Sequence, residues 1–211
     1  MHMDKYAALR PFAYHLTHRS NVEGLRKTGC LFPTAYLMKR ADKLDLVRLR
    51  RSKAIQLAIA DMSMSISIRD QAPLHRGNAL FPDGYTFGEF VESLNQRIFF
   101  WPGTEAEPIS YGIRHFERYR DEHPALIRIR LASLLAVNPG IMPRFCRFNS
   151  GSPRCSAGKK SPRGPHTFLS LEEFNCTPSE VVEITFEDPV VLPKDSQLGT
   201  RPQGPWRQLF H

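Results

Sequence analysis

No stretch of about 18 consecutive apolar residues occurs in this 211-residue chain, so no membrane-spanning helix is expected. The N-terminus lacks the basic-then-apolar order of a secretory signal, and a cytoplasmic, bacterial setting is the expectation. Close cysteine pairs are missing too. Cys30, Cys146, Cys155 and Cys176 admit two disulfides or, with His166, a zinc site, but structural zinc sites bring their ligands in close pairs and here the nearest two cysteines are nine residues apart. Reduced thiols and no metal are therefore expected. There is no Gly-rich loop of the dinucleotide or P-loop type, no regular β-α-β rhythm and no internal repeat, which argues against a doubly wound nucleotide fold.

What the chain has in excess is positive charge. The formal net charge is +8, and between Pro143 and Thr167 there are six cations and no acidic residue, interleaved with Ser, Gly and Asn. Flexible backbone N–H groups beside cations suit phosphates, of a dinucleotide or of a nucleic-acid backbone, although a solvated loop has the same composition. Phe145, Phe148 and Phe168 bracket the run and tether it to a core. A shaped loop is thus expected, with Arg147, Arg154, Lys159, Lys160 and Arg163 as candidate nucleic-acid contacts. A second basic stretch, Lys39 to Lys53, continues into apolar residues at 54, 55 and 57–59 and predicts one or two amphipathic helices with a cationic outer face.

At 41% hydrophobic and 24% charged, the composition suits one sizeable core. The domain is expected over 1–192, followed by a Pro-containing tail over 193–211. Along it, Tyr14–His18 predicts a strand, and Ser20 and Glu23, at capping-box spacing, open a helix that stops at Gly29. Thr34 is placed to cap a helix over 35–41. Met62 to Ile68 alternates with period two and predicts a strand. Residues 86–94 and 109–120 predict helices, 97–101, 126–129 and 181–186 strands, and 132–135 a short helix or turn. Pro73, Gly77, Pro102 and Gly103 punctuate the pattern. The class is α+β.

The segment Tyr14-His15-Leu16-Thr17-His18, followed by Asn21 and its helix, resembles the opening NAD-binding motif of the bacterial DarT-type ADP-ribosyltransferases. The aromatic strand Phe99-Phe100-Trp101-Pro102 and the late strand Val182-Glu183-Ile184-Thr185-Phe186 resemble further elements of that family. The resemblance implies an ADP-ribosyltransferase-like fold, with two small mixed sheets flanking an NAD cleft and peripheral helices around them. It implies NAD as substrate, a nucleic-acid base of DNA or RNA as acceptor, and an antitoxin or hydrolase as a partner in a toxin or defence role. The block Arg147–Arg154 and Ser161–Pro165 departs from DarT and resembles a bacterial family of undefined function.

Cleaving the bond between nicotinamide and ribose passes through an oxocarbenium-like state, which needs a carboxylate near the ribose and donors for the nicotinamide amide. By the resemblance the carboxylate is Glu183, and Tyr14, His15, Leu16, Thr17 and Asn21 hold NAD. His15 would meet the ribose hydroxyls and Thr17 the amide. Phe100 is a candidate face for the pyridinium, and Arg51 or Arg69 for the pyrophosphate. Plainer readings stand beside these. Glu183 fits a solvent-facing position on an edge strand, His15 a hydrogen-bonded structural residue, and the aromatic trio a core. Glu180 is the competing carboxylate, with Glu172, Glu173 and Glu187 further candidates. Two other activities fit the same pattern: a non-catalytic nucleic-acid-binding protein on this fold, and an RNA 2'-phosphotransferase-like enzyme that also uses NAD.

Overall fold

A computed structural model describes residues 3–175 and 177–210. The chain opens with helix α1 (Met3–Leu9), strand β1 (Phe12–His18), helix α2 (Val22–Thr28), strand β2 (Cys30–Leu31) and helix α3 (Thr34–Arg40). Strands β3 (Ile55–Ile59), β4 (Met64–Ile68) and β5 (Ala79–Leu80) lead to helix α4 (Phe87–Asn95) and strand β6 (Ile98–Gly103). Helix α5 (Ser110–Tyr119), strand β7 (Pro124–Arg130) and helix α6 (Leu131–Ala136) follow. The remaining strands are β8 (Arg144–Cys146), β9 (Cys155–Ser156), β10 (Lys159–Pro162), β11 (Glu183–Phe186), β12 (Val190–Val191), β13 (Gln197–Gly199) and β14 (Trp206–Gln208).

Seven strands form the principal sheet in the order β14-β13-β7-β1-β6-β11-β8, every neighbour antiparallel. The sheet has a seam. β1 pairs with β7 along its whole length, Phe12 opposite Arg130 through His18 opposite Pro124, but with β6 only from Phe12–Gly103 to Tyr14–Trp101. From His15 onward the two strands pair no further. Backbone groups freed at such a split need other partners, and the His15 imidazole supplies one by bonding the Phe99 carbonyl at 2.9 Å. The expected pair of small mixed sheets is therefore replaced by one larger antiparallel sheet that splays between β1 and β6, with β3–β4, β2–β12 and β5–β10–β9 as separate small sheets.

Apolar residues of β1, β6, β7 and β11 make the main core with α1, α2 and α6, including Ala13, Ile127, Phe100, Ile184 and Phe186. A second cluster packs Leu37 and Met38 of α3 against Leu57, Ile59, Ile66 and Ile68 of the β3–β4 hairpin. Asn21 binds the two parts together: its amide donates to Thr17 Oγ1 (2.9 Å) and the Ser67 carbonyl (2.8 Å) and accepts from the Ser67 N–H (2.8 Å).

Several sequence expectations need correction here. The Ser20–Glu23 capping box does not form: Ser20 instead pairs its hydroxyl with His18 Nδ1 at 2.7 Å across a 3-10 turn, and α2 starts after Asn21. The helix does end at Gly29, whose φ of 66° is the left-handed stop expected there. Thr34 is the first residue of α3 and makes no side-chain cap. The predicted basic helices stop at Arg40. Residues 55–59 are a strand because Ile55, Leu57 and Ile59 share a period-two face that pairs with β4. The segment expected as a tail contributes β13 and β14 to the principal sheet, with Leu198 and Leu209 in the core.

Cys30, Cys146 and Cys155 are free thiols, and Cys176 lies outside the described residues. Among the described residues no helix is long and apolar enough to cross a membrane.

Candidate active site

The splayed seam opens into a cavity of about 480 Å³, within the range of small-molecule sites. His15 and Thr17 of β1, Arg69 after β4, Trp101 of β6, Ser150 and Glu183 of β11 all line it. Three segments far apart in sequence thus share one cleft: the β1–α2 entrance, the β3–β4 hairpin, and β11 with the loop after β8.

Glu183 is no solvent-facing residue. β11 lies between β6 and β8, and all four of its residues are buried; Glu183 is 4% exposed. The Ser150 N–H sits 3.2 Å from both carboxylate oxygens. Burial pushes the Glu183 carboxyl up to about 7, against the pull of Ser150 and of the Arg163 guanidinium nearby. The competitor Glu180 is exposed in a 3-10 turn, where it pairs with Arg147 at 3.0 Å and bonds Thr177.

His15 is held by the Phe99 carbonyl, which only accepts, so Nδ1 carries the proton and Nε2 is left as an acceptor. Burial and the Arg69 charge bring its pKa down to about 4, so the ring is neutral at physiological pH. Its ring also packs on Phe100 at 5.5 Å. His115 of α5 lines the cleft beside Trp101, 4.6 Å between ring centroids, and burial lowers it to about 3.

The two candidate arginines differ. Arg51 spends its donors on the Arg69 carbonyl (3.0 Å) and Asn95 Oδ1 (2.8 Å). Arg69 donates one bond, to the Thr17 carbonyl (2.8 Å), and lies over the Tyr119 ring at 4.6 Å, while its Nε and Nη1 are buried without a partner among the described residues. Unfilled buried guanidinium donors in a cavity wall are suited to an anion. The Trp101 indole N–H is likewise buried and unfilled.

Other expected residues fall elsewhere. Tyr14 is fully buried and bonds the Thr104 carbonyl at 2.5 Å; Phe100 is fully buried against Phe186; neither reaches the cleft, because both point into packed side chains. Leu16 touches the cleft but belongs to a cluster with Trp101 and Phe116. Asn21 lines the cleft with its amide already committed to Thr17 and Ser67. Of the basic loop, Arg147, Arg154, Lys159 and Lys160 are exposed. Arg163 is not a surface cation: at 4% exposure it donates to the carbonyls of Ser150 (3.2 Å), Pro162 (2.8 Å) and Asn149 (3.1 Å), fixing the loop that holds Glu183.

Residues the sequence reading passed over are Ser150, Trp101 as a cleft wall, and His115. The last had a signal, since Tyr111, His115 and Tyr119 recur at i, i+4 and i+8 on α5 and must share a face.

These features define an α+β domain whose split antiparallel sheet encloses a cleft with a buried carboxylate, a neutral histidine and an arginine with open donors. A family of unknown function, DUF7002, matches residues 11–196, and the chain belongs to that family. No curated protein and no solved structure matches it.

Proposed function

We propose that this protein is an NAD-dependent ADP-ribosyltransferase that modifies a nucleic-acid base. The observation that carries the reading is the buried Glu183 carboxylate sharing one cleft with His15 and Arg69. In this account the Arg69 donors take the pyrophosphate and His15 Nε2 accepts from a ribose hydroxyl. The C1'–nitrogen bond of the nicotinamide riboside breaks, its electron pair passes to the pyridinium nitrogen, and neutral nicotinamide leaves. The ionised Glu183 faces the oxocarbenium-like centre, where a preorganised charge in a buried site acts strongly. An acceptor base nitrogen then supplies the pair for the new bond to C1', and its proton goes to Glu183. The ionised carboxylate is the working form, so the rate rises with pH through about 7.

The test is incubation with NAD and single-stranded DNA or RNA, followed by mass analysis of the strand and of nicotinamide. The expected result is an added ADP-ribose and one nicotinamide per adduct, both lost in Glu183→Gln. Turnover of NAD by Glu183→Gln at the parental rate would refute the assignment. Salt-sensitive strand binding with no NAD-dependent product would favour the non-catalytic alternative, and release of a 2'-phosphate from RNA the phosphotransferase one.

A further inference from the structure

A second cavity, about 290 Å³, lies on the other side of the wall formed by His115, Asn149 and Gly151, which line both spaces. Its lining is cationic. Arg114 and Arg118 come from α5, Arg147 and Arg154 from the loop after β8, and Arg163 from beside β10; Asp70 is the acidic lining residue. Asp70 is already engaged, accepting from the Tyr119 hydroxyl (3.2 Å) and the Ala72 N–H (2.6 Å). Arg114, Arg118 and Arg154 are exposed and have no carboxylate partner among the described residues. Arg114 and Arg118 stand at i and i+4 on one helix, where like charges repel and gain nothing from each other. An anion bridging them relieves that cost.

The walls are also aromatic. Arg114 lies over Tyr111 at 4.7 Å and Arg163 over Phe148 at 4.8 Å, and Phe148 is 39% exposed. Phosphate-binding guanidiniums beside accessible rings are the combination by which single strands are held, the rings stacking on bases and the cations following the backbone. A volume at the low end of the small-molecule range admits about one nucleotide. A stacked duplex cannot place a base there without unpairing it.

We propose that this second cavity binds one nucleotide of a single-stranded nucleic acid, with Arg114, Arg118 and Arg154 on its phosphates. Its role as the acceptor site rests on the reading of the first cavity as the NAD cleft; the binding itself does not. The shared wall puts a base in this cavity next to the loop that carries Ser150 and, through it, Glu183.

The experiment is fluorescence anisotropy with short single-stranded DNA, single-stranded RNA and duplex probes, without NAD, across a salt series. The wild type and Glu183→Gln are expected to bind a single strand equally and more tightly than duplex. Arg114→Ala/Arg118→Ala, which changes exposed residues, is expected to bind on the order of tenfold more weakly, with a log–log salt slope shallower by about 2, one per cation removed. Far-ultraviolet circular dichroism and an unchanged melting temperature establish that the double variant is folded. Undiminished affinity or an unchanged salt slope in the folded double variant overturns the proposal, as does tighter binding of duplex. If Glu183→Gln and wild type both fail to consume NAD while the arginine dependence holds, the second site stands and the transferase reading falls.

Discussion

Replacing Glu183 with Gln is expected to stabilise the protein at alkaline pH while abolishing its chemistry. The carboxyl is raised from an ordinary 4.5 to about 7 because burial disfavours its charge. At about 1.4 kcal/mol per tenfold change in proton affinity, ionising it in the folded protein costs about 3 kcal/mol. The sign follows from linkage. Between pH 4.5 and 7 the folded state binds more protons than the unfolded one, so stability falls as pH rises and the full loss is reached above about 7. Gln keeps the shape and the oxygen that accepts from Ser150 but never ionises, so it escapes this loss. Its amide N–H groups and the nearby Arg163 charge, left without a counter-charge, cost about 1–2 kcal/mol of that gain at all pH values. The assay is urea denaturation of both proteins at pH 5 and pH 8. The stability difference, variant minus wild type, should shift towards the variant by about 3 kcal/mol between the two. A difference that stays constant from pH 5 to 8 would show that Glu183 ionises as freely as an exposed carboxyl, and the reasoning about the site would fail.

The remaining predictions concern the frame of the cleft. His15, lowered to about 4, contributes stability that is present above 6.5 and lost as pH falls through 4; His15→Gln should flatten the acid limb of the unfolding profile, and an unchanged limb would contradict the assignment. Arg163→Ala removes three donors to loop carbonyls and should cost about 2–4 kcal/mol, read by urea denaturation, with a further upward shift of Glu183 seen by carbon-13 titration. Gly103→Ala should cost more than about 2 kcal/mol in the same assay, because a Cβ there would lie 2.5 Å from the Glu107 carbonyl and 2.7 Å from the Tyr14 ring. Arg69→Gln should weaken NAD binding about tenfold or more by calorimetry while leaving the melting temperature within a few degrees, since the bond lost is the one to Thr17.

How far the sequence carried these conclusions varied with the range of the interactions. The Thr86 and Glu89 pair was readable because a capping box is local, and it closes as read, with Glu89 Oε2 2.6 Å from the Thr86 N–H. Ser20 and Glu23 have the same spacing yet form none, because His18 competes for the Ser20 hydroxyl. The strands β1, β6 and β11 were legible from apolar patterning, but their order in the sheet was not. That order decides whether Glu183 faces solvent: on an edge it would, whereas between β6 and β8 it is buried. Arg163 was indistinguishable in sequence from its exposed neighbours, since only the carbonyls of residues 149 and 150, brought back by the loop, make it internal. The C-terminal strands escaped notice because each is three residues long and takes its stability from pairing across the chain.

The most direct test of the account is a crystal structure of the protein with a non-hydrolysable NAD analogue. The account predicts the nicotinamide ribose between His15 and Glu183 and the pyrophosphate on the open Arg69 donors. An analogue bound outside the β1–β6 seam, or contacting neither Glu183 nor Arg69, would contradict it.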